Sequence, residues 1–328
     1  MPCTLPTLQA AARTVHAVLP PTPQYRWPLL EAGFAAHPGD GTQVWLKHEN
    51  HTPVGAFKVR GGLVYLDRLM RGGERPPGLV SATRGNHGQS IALAAARHGV
   101  PVLIVVPVGN SREKNAAMRA LGVELVEAGE DFQASRGHAQ ALAAQRGWRM
   151  VPSFHPDLVA GVASYALELF AAAPDLRTVY VPIGLGSGAC GLVAARDALG
   201  LSTRIVGVVS SAAPACALSS AAGRLIAHPT TTQLADGMAC STPDPDALAM
   251  LQTGLDSVVQ VSDAEIAAAM RRLFETTHQV AEGAGAAALA AAWQQRAQLA
   301  GQRTALVLSG GNVGRDVFAR VLSESPTD

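Results

Sequence analysis

"HTPVGAFKVRGG", His51 to Gly62, holds one of only three lysines in the chain, Lys47, Lys58 and Lys114, among 26 basic residues in all. The rest are arginines, so this chain takes arginine almost wherever it needs a positive charge. A lysine between Phe57 and Val59 therefore asks for a reason. A surface lysine, or one ion-paired in the core, is the plain reading, and the preference for arginine stands against it.

Outward from that stretch, strand-like and helix-like segments alternate. "TQVWLKHEN" before it reads as a strand. "GLVSAT" is a short apolar run, followed by a glycine-bearing turn and the alanine-rich helix "HGQSIALAAARHG". "PVLIVVP" is the β-branched run of a strand covered on both faces. "NSREKNAAMRALG" reads as a helix capped by Asn110 or Ser111 and stopped at Gly122. "VELVEAG" reads as a strand, and "DFQASRGHAQALAAQRG" as a helix capped by Asp131. "TVYVPIG" and "RIVGVVSS" are strands around a helix from about Cys190 to Leu199. "SDAEIAAAMRRLFETTH" carries a capping box, Ser262 and Glu265, and "TALVLSGGN" is a last strand running into glycines. Such alternation predicts an α/β fold of parallel sheets with crossover helices.

The 328 residues exceed the length of one ordinary domain, so two are expected. Hydrophobic residues make up 48% and charged residues 16%, which suits a large core, and the net charge of +1 with no charge run gives no sign of a nucleic-acid or polybasic membrane surface. No apolar run is long enough to span a bilayer and no leader pattern is seen, so a soluble, cytoplasmic protein is expected. Cys3, Cys190, Cys216 and Cys240 lack any C-x-x-C spacing and read as small buried apolar residues in a reducing compartment.

Three glycine-rich loops follow strands. "SATRGNHGQS", Ser81 to Ser90, opens a helix whose backbone N–H groups can receive an anion. "PIGLGSGACG", Pro182 to Gly191, contains Gly186-x-Gly188-x-x-Gly191, a dinucleotide fingerprint. That fingerprint needs a carboxylate at the end of the next strand to bind a ribose, and Val209-Ser210-Ser211 stands there instead. A phosphate loop without a ribose partner fits better than a nucleotide-binding oxidoreductase, which is the outside alternative. "LSGGN", Leu308 to Asn312, ends the last strand. Ligands of open α/β sheets bind outside the carboxyl ends of strands, where all three loops meet.

"GAFKVRGG", "RGNHG", "PIGLGSG" and "LSGGN", in that order, resemble the serine/threonine dehydratase family of fold-type II pyridoxal-phosphate (PLP) enzymes, which includes serine racemase and is related to the tryptophan synthase β chain. The resemblance runs from about Thr22 to about Arg320 and includes "VPVGNSREKNAAMRALGVELVEAG" and "ADGMA". It implies two three-layer α/β domains with mainly parallel sheets. Residues 54–155 would form the small domain carrying the asparagine loop, and 1–53 with 156–328 the large PLP-binding domain. It also implies a homodimer, the family's usual state.

The lone lysine then has its reason: the aldehyde of PLP is held by a primary amine, which arginine cannot supply. By resemblance Lys58 is the Schiff-base lysine and the base at Cα. Asn86 bonds the 3′-oxygen of PLP. Gly184, Leu185, Gly186, Ser187 and Gly188 cradle its phosphate, and Ser309 partners its pyridine nitrogen. Thr83, Arg84, Gly85 and His87 bind the substrate, and Glu282 lies near the cofactor. The implied reaction is α,β-elimination from a β-hydroxy-α-amino acid to a 2-oxo acid and ammonia. Racemisation or β-replacement on the same fold is the alternative.

The chain departs from the family pattern in places. Thr83-Arg84 stands where the family has serine and a small residue. A guanidinium makes a poor proton shuttle, which disfavours racemisation; it can instead bind a carboxylate, the substrate's own or a second one as on 3-hydroxyaspartate. Ser210-Ser211-Ala212 replaces the Glu-Pro start of metal-using relatives, so no metal is expected. Gly161-Val162-Ala163-Ser164 and His155 also differ and allow a bulkier substrate such as phenylserine. No regulatory domain is expected after the catalytic part.

Overall fold

Every residue of Val102–Val106 is buried, as a strand covered on both faces requires. In the computed structural model, which describes residues 3–73 and 75–324, it is the fourth of ten strands. These are β1 Gln24–Arg26, β2 Gln43–His48, β3 Leu79–Ala82, β4 Val102–Val106, β5 Glu124–Glu127, β6 Arg149–Met150, β7 Thr178–Pro182, β8 Arg204–Ser210, β9 Ser257–Val261 and β10 Arg303–Leu308. They form a six-stranded sheet of order β1-β2-β10-β7-β8-β9 and a four-stranded sheet of order β5-β4-β3-β6. β1 runs antiparallel to β2, and the other pairings are parallel.

Alternation along the strands builds the layers. In the large sheet Val179, Val181, Ile205, Val209, Ala305 and Val307 join one core. Tyr180, Val206, Val208, Leu306 and Leu308, between them in sequence, join the core on the opposite face. In the small sheet Val80, Ala82, Leu103 and Val105 pack with Ala139 and Ala143 of the helix Phe132–Arg146, while Leu79 and Ile104 face the other way, into the first core. Each sheet is thus the middle layer of three, as expected.

The helix Lys58–Arg71 joins the two sheets. It lies between the helix Asn86–Ala96, which follows β3, and the helix Pro156–Ala172. Glycines allow this approach. A Cβ on Gly61 would sit 2.9 Å from the Leu158 carbonyl, one on Gly161 would overlap the Arg60 carbonyl, and one on Gly62 would overlap Ser90 Oγ. The "RGG" after the lysine is therefore a packing requirement as well as a motif.

The anticipated helix starts hold. Ser111, not Asn110, caps Arg112–Ala120, Asp131 caps Phe132–Arg146, and Ser262 with Glu265 closes a reciprocal capping box on Asp263–Thr277. The helix after β7 begins at Ser187, three residues earlier than its apolar pattern suggests, because Ser187 and Gly188 form its first turn. Cys190 and Cys216 are buried, but Cys3 and Cys240 are only partly so. Among the described residues no helix is long and apolar enough to cross a membrane.

Candidate active site

The loops after β3, β7 and β10 leave the carboxyl ends of their strands, and Lys58 is fixed among them by main-chain bonds. Phe57 N–H donates to the Ser309 carbonyl at 3.1 Å, and Gly311 N–H donates to the Gly55 carbonyl at 2.9 Å. The Thr52 hydroxyl accepts from Ala56 N–H and donates to the Ala56 carbonyl, both at 2.9 Å. Ser90 Oγ then donates to the Lys58 carbonyl at 2.6 Å, tying the first helical turn to the helix of the asparagine loop. The Lys58 ammonium lies 4.9 Å from the Phe57 ring centre. Burial lowers its pKa to about 8, with Glu282 and Cys240 pulling the other way. A far larger share of the amine is therefore neutral near physiological pH than for a lysine in water.

Lys58 lines a cavity of about 530 Å³ together with Thr83, Arg84, Gly85, Asn86 and His87, and with Gly184 and Leu185 from the loop after β7. The Thr83 hydroxyl accepts from Gly85 N–H at 2.9 Å and Gly88 N–H at 3.4 Å, which shapes the turn and leaves its own proton to donate. Burial and the Lys58 charge push His87 down to about 3, so its imidazole is neutral. Among the described residues neither His87 Nε2 nor Arg84 Nε has a hydrogen-bond partner, although both atoms are buried. Buried polar atoms without partners are costly. Two of them on one cavity wall mark a surface built to receive a polar ligand.

Gly186, Ser187, Gly188 and Ser309, on the loops after β7 and β10, do not line this cavity. Gly186 has φ +103°, which favours glycine, and a Cβ there would press on Ala247 at 3.0 Å. Ser187 and Gly188 open the helix Ser187–Ala198, and Ser187 is buried. A Cβ on Gly184 would overlap the Gly237 carbonyl. Ser309 is buried, its hydroxyl 3.5 Å from the Ala284 carbonyl.

A polar chain crosses the site. Asn312 Nδ2 donates to Asn86 Oδ1 at 2.9 Å, and Asn86 Nδ2 donates to Glu282 Oε1 at 2.6 Å. Lys114 Nζ lies 3.4 Å from Glu282 Oε2 and 2.6 Å from Asp236 Oδ2. Burial would lower Lys114, but Glu282 and Asp236 overcome it and lift the ammonium to about 12. Burial raises Glu282, and Lys114 and Asn86 oppose that rise. Lys114, Asp236, Arg136 and Cys240 all line the cavity and were not foreseen as site residues. For Lys114 the signal was present, since it is one of the three lysines. Arg136 sits on an ordinary amphipathic helix and offers no sequence signal.

A narrow glycine cradle at a helix N-terminus, a cavity lysine of lowered pKa and an amide poised beside it fit a phosphorylated aldehyde. The sequence profile described as "Pyridoxal-phosphate dependent enzyme" matches residues 20–310. The chain belongs to that family. An L-threonine ammonia-lyase of Geobacter sulfurreducens is 35% identical over 274 residues, 83% of this chain and 68% of that protein. An L-threo-3-hydroxyaspartate ammonia-lyase of Saccharomyces cerevisiae is 30% identical over 284 residues, 86% of this chain and 87% of that one. The crystal structure of a T.th. threonine deaminase superposes with TM-score 0.86 at 34% identity, covering 95% of this chain and 99% of that one. Family members depend on PLP, so this chain is a PLP-dependent enzyme.

Proposed function

We propose that this PLP enzyme is an ammonia-lyase that converts a β-hydroxy-α-amino acid to a 2-oxo acid and ammonia. The observation that carries the reading is Lys58: a cavity lysine with its pKa lowered to about 8, in a chain that otherwise prefers arginine and whose relatives include ammonia-lyases. PLP, when bound, supplies the electron sink for breaking the Cα–H bond.

The chain's own groups do the rest. Gly184 to Gly188 and the first turn of the helix Ser187–Ala198 would hold the phosphate on backbone N–H groups. Ser309 would face the pyridine nitrogen, and Asn86 the ring oxygen. Lys58, once neutral, takes the Cα proton. Thr83, Gly85 and neutral His87 hold the substrate's α-carboxylate, and Arg84 stands beside them on the cavity wall to bind a carboxylate. We read residues 54–155 as a small domain that closes on the remainder and excludes water, and the protein as a cytoplasmic homodimer that binds no nucleic acid or membrane.

Racemisation is the lesser reading, because Arg84 stands where a proton shuttle on the second face would be needed and a guanidinium stays protonated. One observation favours a particular substrate class. Arg84, with its unpartnered Nε, and Arg136 line the same cavity. Two guanidinium groups suit a second carboxylate, as on 3-hydroxyaspartate. The test is Lys58→Ala: loss of both turnover and the visible band of lysine-bound PLP supports the assignment, and retention of both rejects it.

A further inference from the structure

Asn312 stands four residues beyond the end of β10. Its amide has two N–H groups to donate. Both are in use: Nδ2 donates to the Val54 carbonyl at 2.7 Å and to Asn86 Oδ1 at 2.9 Å. Its Oδ1 lies over Gly55, where a Cβ would come within 2.5 Å of it. Gly55 has φ +66°, a backbone shape that suits glycine, so the space is kept open. Flipping the Asn312 amide would set its oxygen against two acceptors, so it keeps this orientation.

That fixed amide decides the next one. Asn86 must turn Oδ1 toward Asn312, which sends its Nδ2 toward Glu282. One N–H goes to Glu282 and one remains. Glu282 alone would not enforce this, because burial favours its protonated form, which could donate to a flipped Asn86. Asn312 has no second protonation state.

We infer that Asn312 is a positioning residue that locks the Asn86 amide so that an N–H, and not a carbonyl, faces the ring oxygen of the bound cofactor. The inference rests on the proposed role of Asn86 beside PLP. It also links the loop after β10 in the large sheet to the loop after β3 in the small one, so the lock holds only while the two loops are together.

The experiment is a pH titration of the visible absorbance of the PLP-loaded enzyme, wild type against Asn312→Asp, Asn86→Ala and the double variant. Aspartate keeps the shape but turns a donor into an acceptor. A hydrogen bond to the deprotonated ring oxygen favours that form, so its loss moves the titration upward by about one pH unit and lowers kcat about tenfold with little change in KM. In the Asn86→Ala background the same substitution is expected to have no further effect on the titration. Asn312→Ala, which adds no acceptor, covers a failure of the aspartate variant to fold and gives a smaller shift of the same sign. An unshifted titration in the single variants overturns the inference, as does a shift that persists in full without Asn86. A wild type that shows no lysine-bound PLP band overturns the PLP assignment of Lys58 and this inference with it.

Discussion

Arg60 grips Glu49 with both arms of its guanidinium, Nε to Oε2 at 2.7 Å and Nη2 to Oε1 at 3.0 Å, and neither side chain reaches solvent. Its Nη1 also meets Glu168 Oε1 at 2.6 Å, and Lys47 Nζ meets Glu168 Oε2 at 2.6 Å. Two positive and two negative charges thus sit together in the core. They tie β2, the turn after it and the helix Pro156–Ala172 to the helix that begins at Lys58. Removing one member leaves an uncompensated buried charge. Arg60→Met is expected to destabilise the protein by about 3–5 kcal/mol in urea unfolding. Arg60→Lys should rescue little, because an ammonium cannot make the paired contacts. A loss below about 1 kcal/mol, the value of a surface pair, would show that the cluster is not closed to water.

Glu168 gives the cluster an acid limit. Burial would raise its carboxyl, but Arg60 and Lys47 overcome that and hold it at about 2 against an ordinary 4.5. A depressed carboxylate stabilises the fold above its unfolded pKa, and that contribution is lost as pH falls through the folded one. Stability should therefore drop by about 3 kcal/mol between pH 4.5 and 2 from this group alone. In Glu168→Gln this part of the acid slope should vanish, although the variant is less stable at neutral pH. An unchanged slope would contradict the assignment.

Lys58 can join an aldehyde only as the neutral amine. With its pKa lowered to about 8 from 10.5, the rate at which the apoenzyme takes up PLP should rise with pH and level off above about 8. A rate still climbing steeply at about pH 10 would mean that the lysine behaves as if in water. Stopped-flow absorbance reads this directly.

Arg84 tests the substrate class. Arg84→Ser removes a charged donor from the cavity wall. If it holds a second carboxylate, kcat/KM for threo-3-hydroxyaspartate should fall about a hundredfold and that for threonine much less, because a site built to bond a polar group discriminates strongly when the bond is lost. Equal losses would place Arg84 at the carboxylate common to both.

The main elements were legible because their signals are local. Asp131, Ser111 and the Ser262–Glu265 pair announce helix starts, and the glycine loops after β3, β7 and β10 announce a binding edge. β1 and β6 were not legible, because three and two residues respectively become strands only by pairing with a neighbour. His155, read as a departure in the pocket, caps the helix Pro156–Ala172 by accepting from Asp157 N–H at 3.1 Å. The ion pairs of Arg60 and the links that join Lys114, Glu282, Asn86 and Asn312 into one chain were not legible. Their partners lie far apart in sequence, and only the fold brings them together.

Product analysis separates elimination from racemisation in one experiment. Purified PLP-loaded enzyme is given L-serine, L-threonine, threo-3-hydroxyaspartate and phenylserine in turn, with 2-oxo acid and ammonia measured in the same sample. Both products are expected in equal amounts from at least one of these substrates, and neither from Lys58→Ala. Inverted amino acid without 2-oxo acid or ammonia would contradict elimination and make the enzyme a racemase.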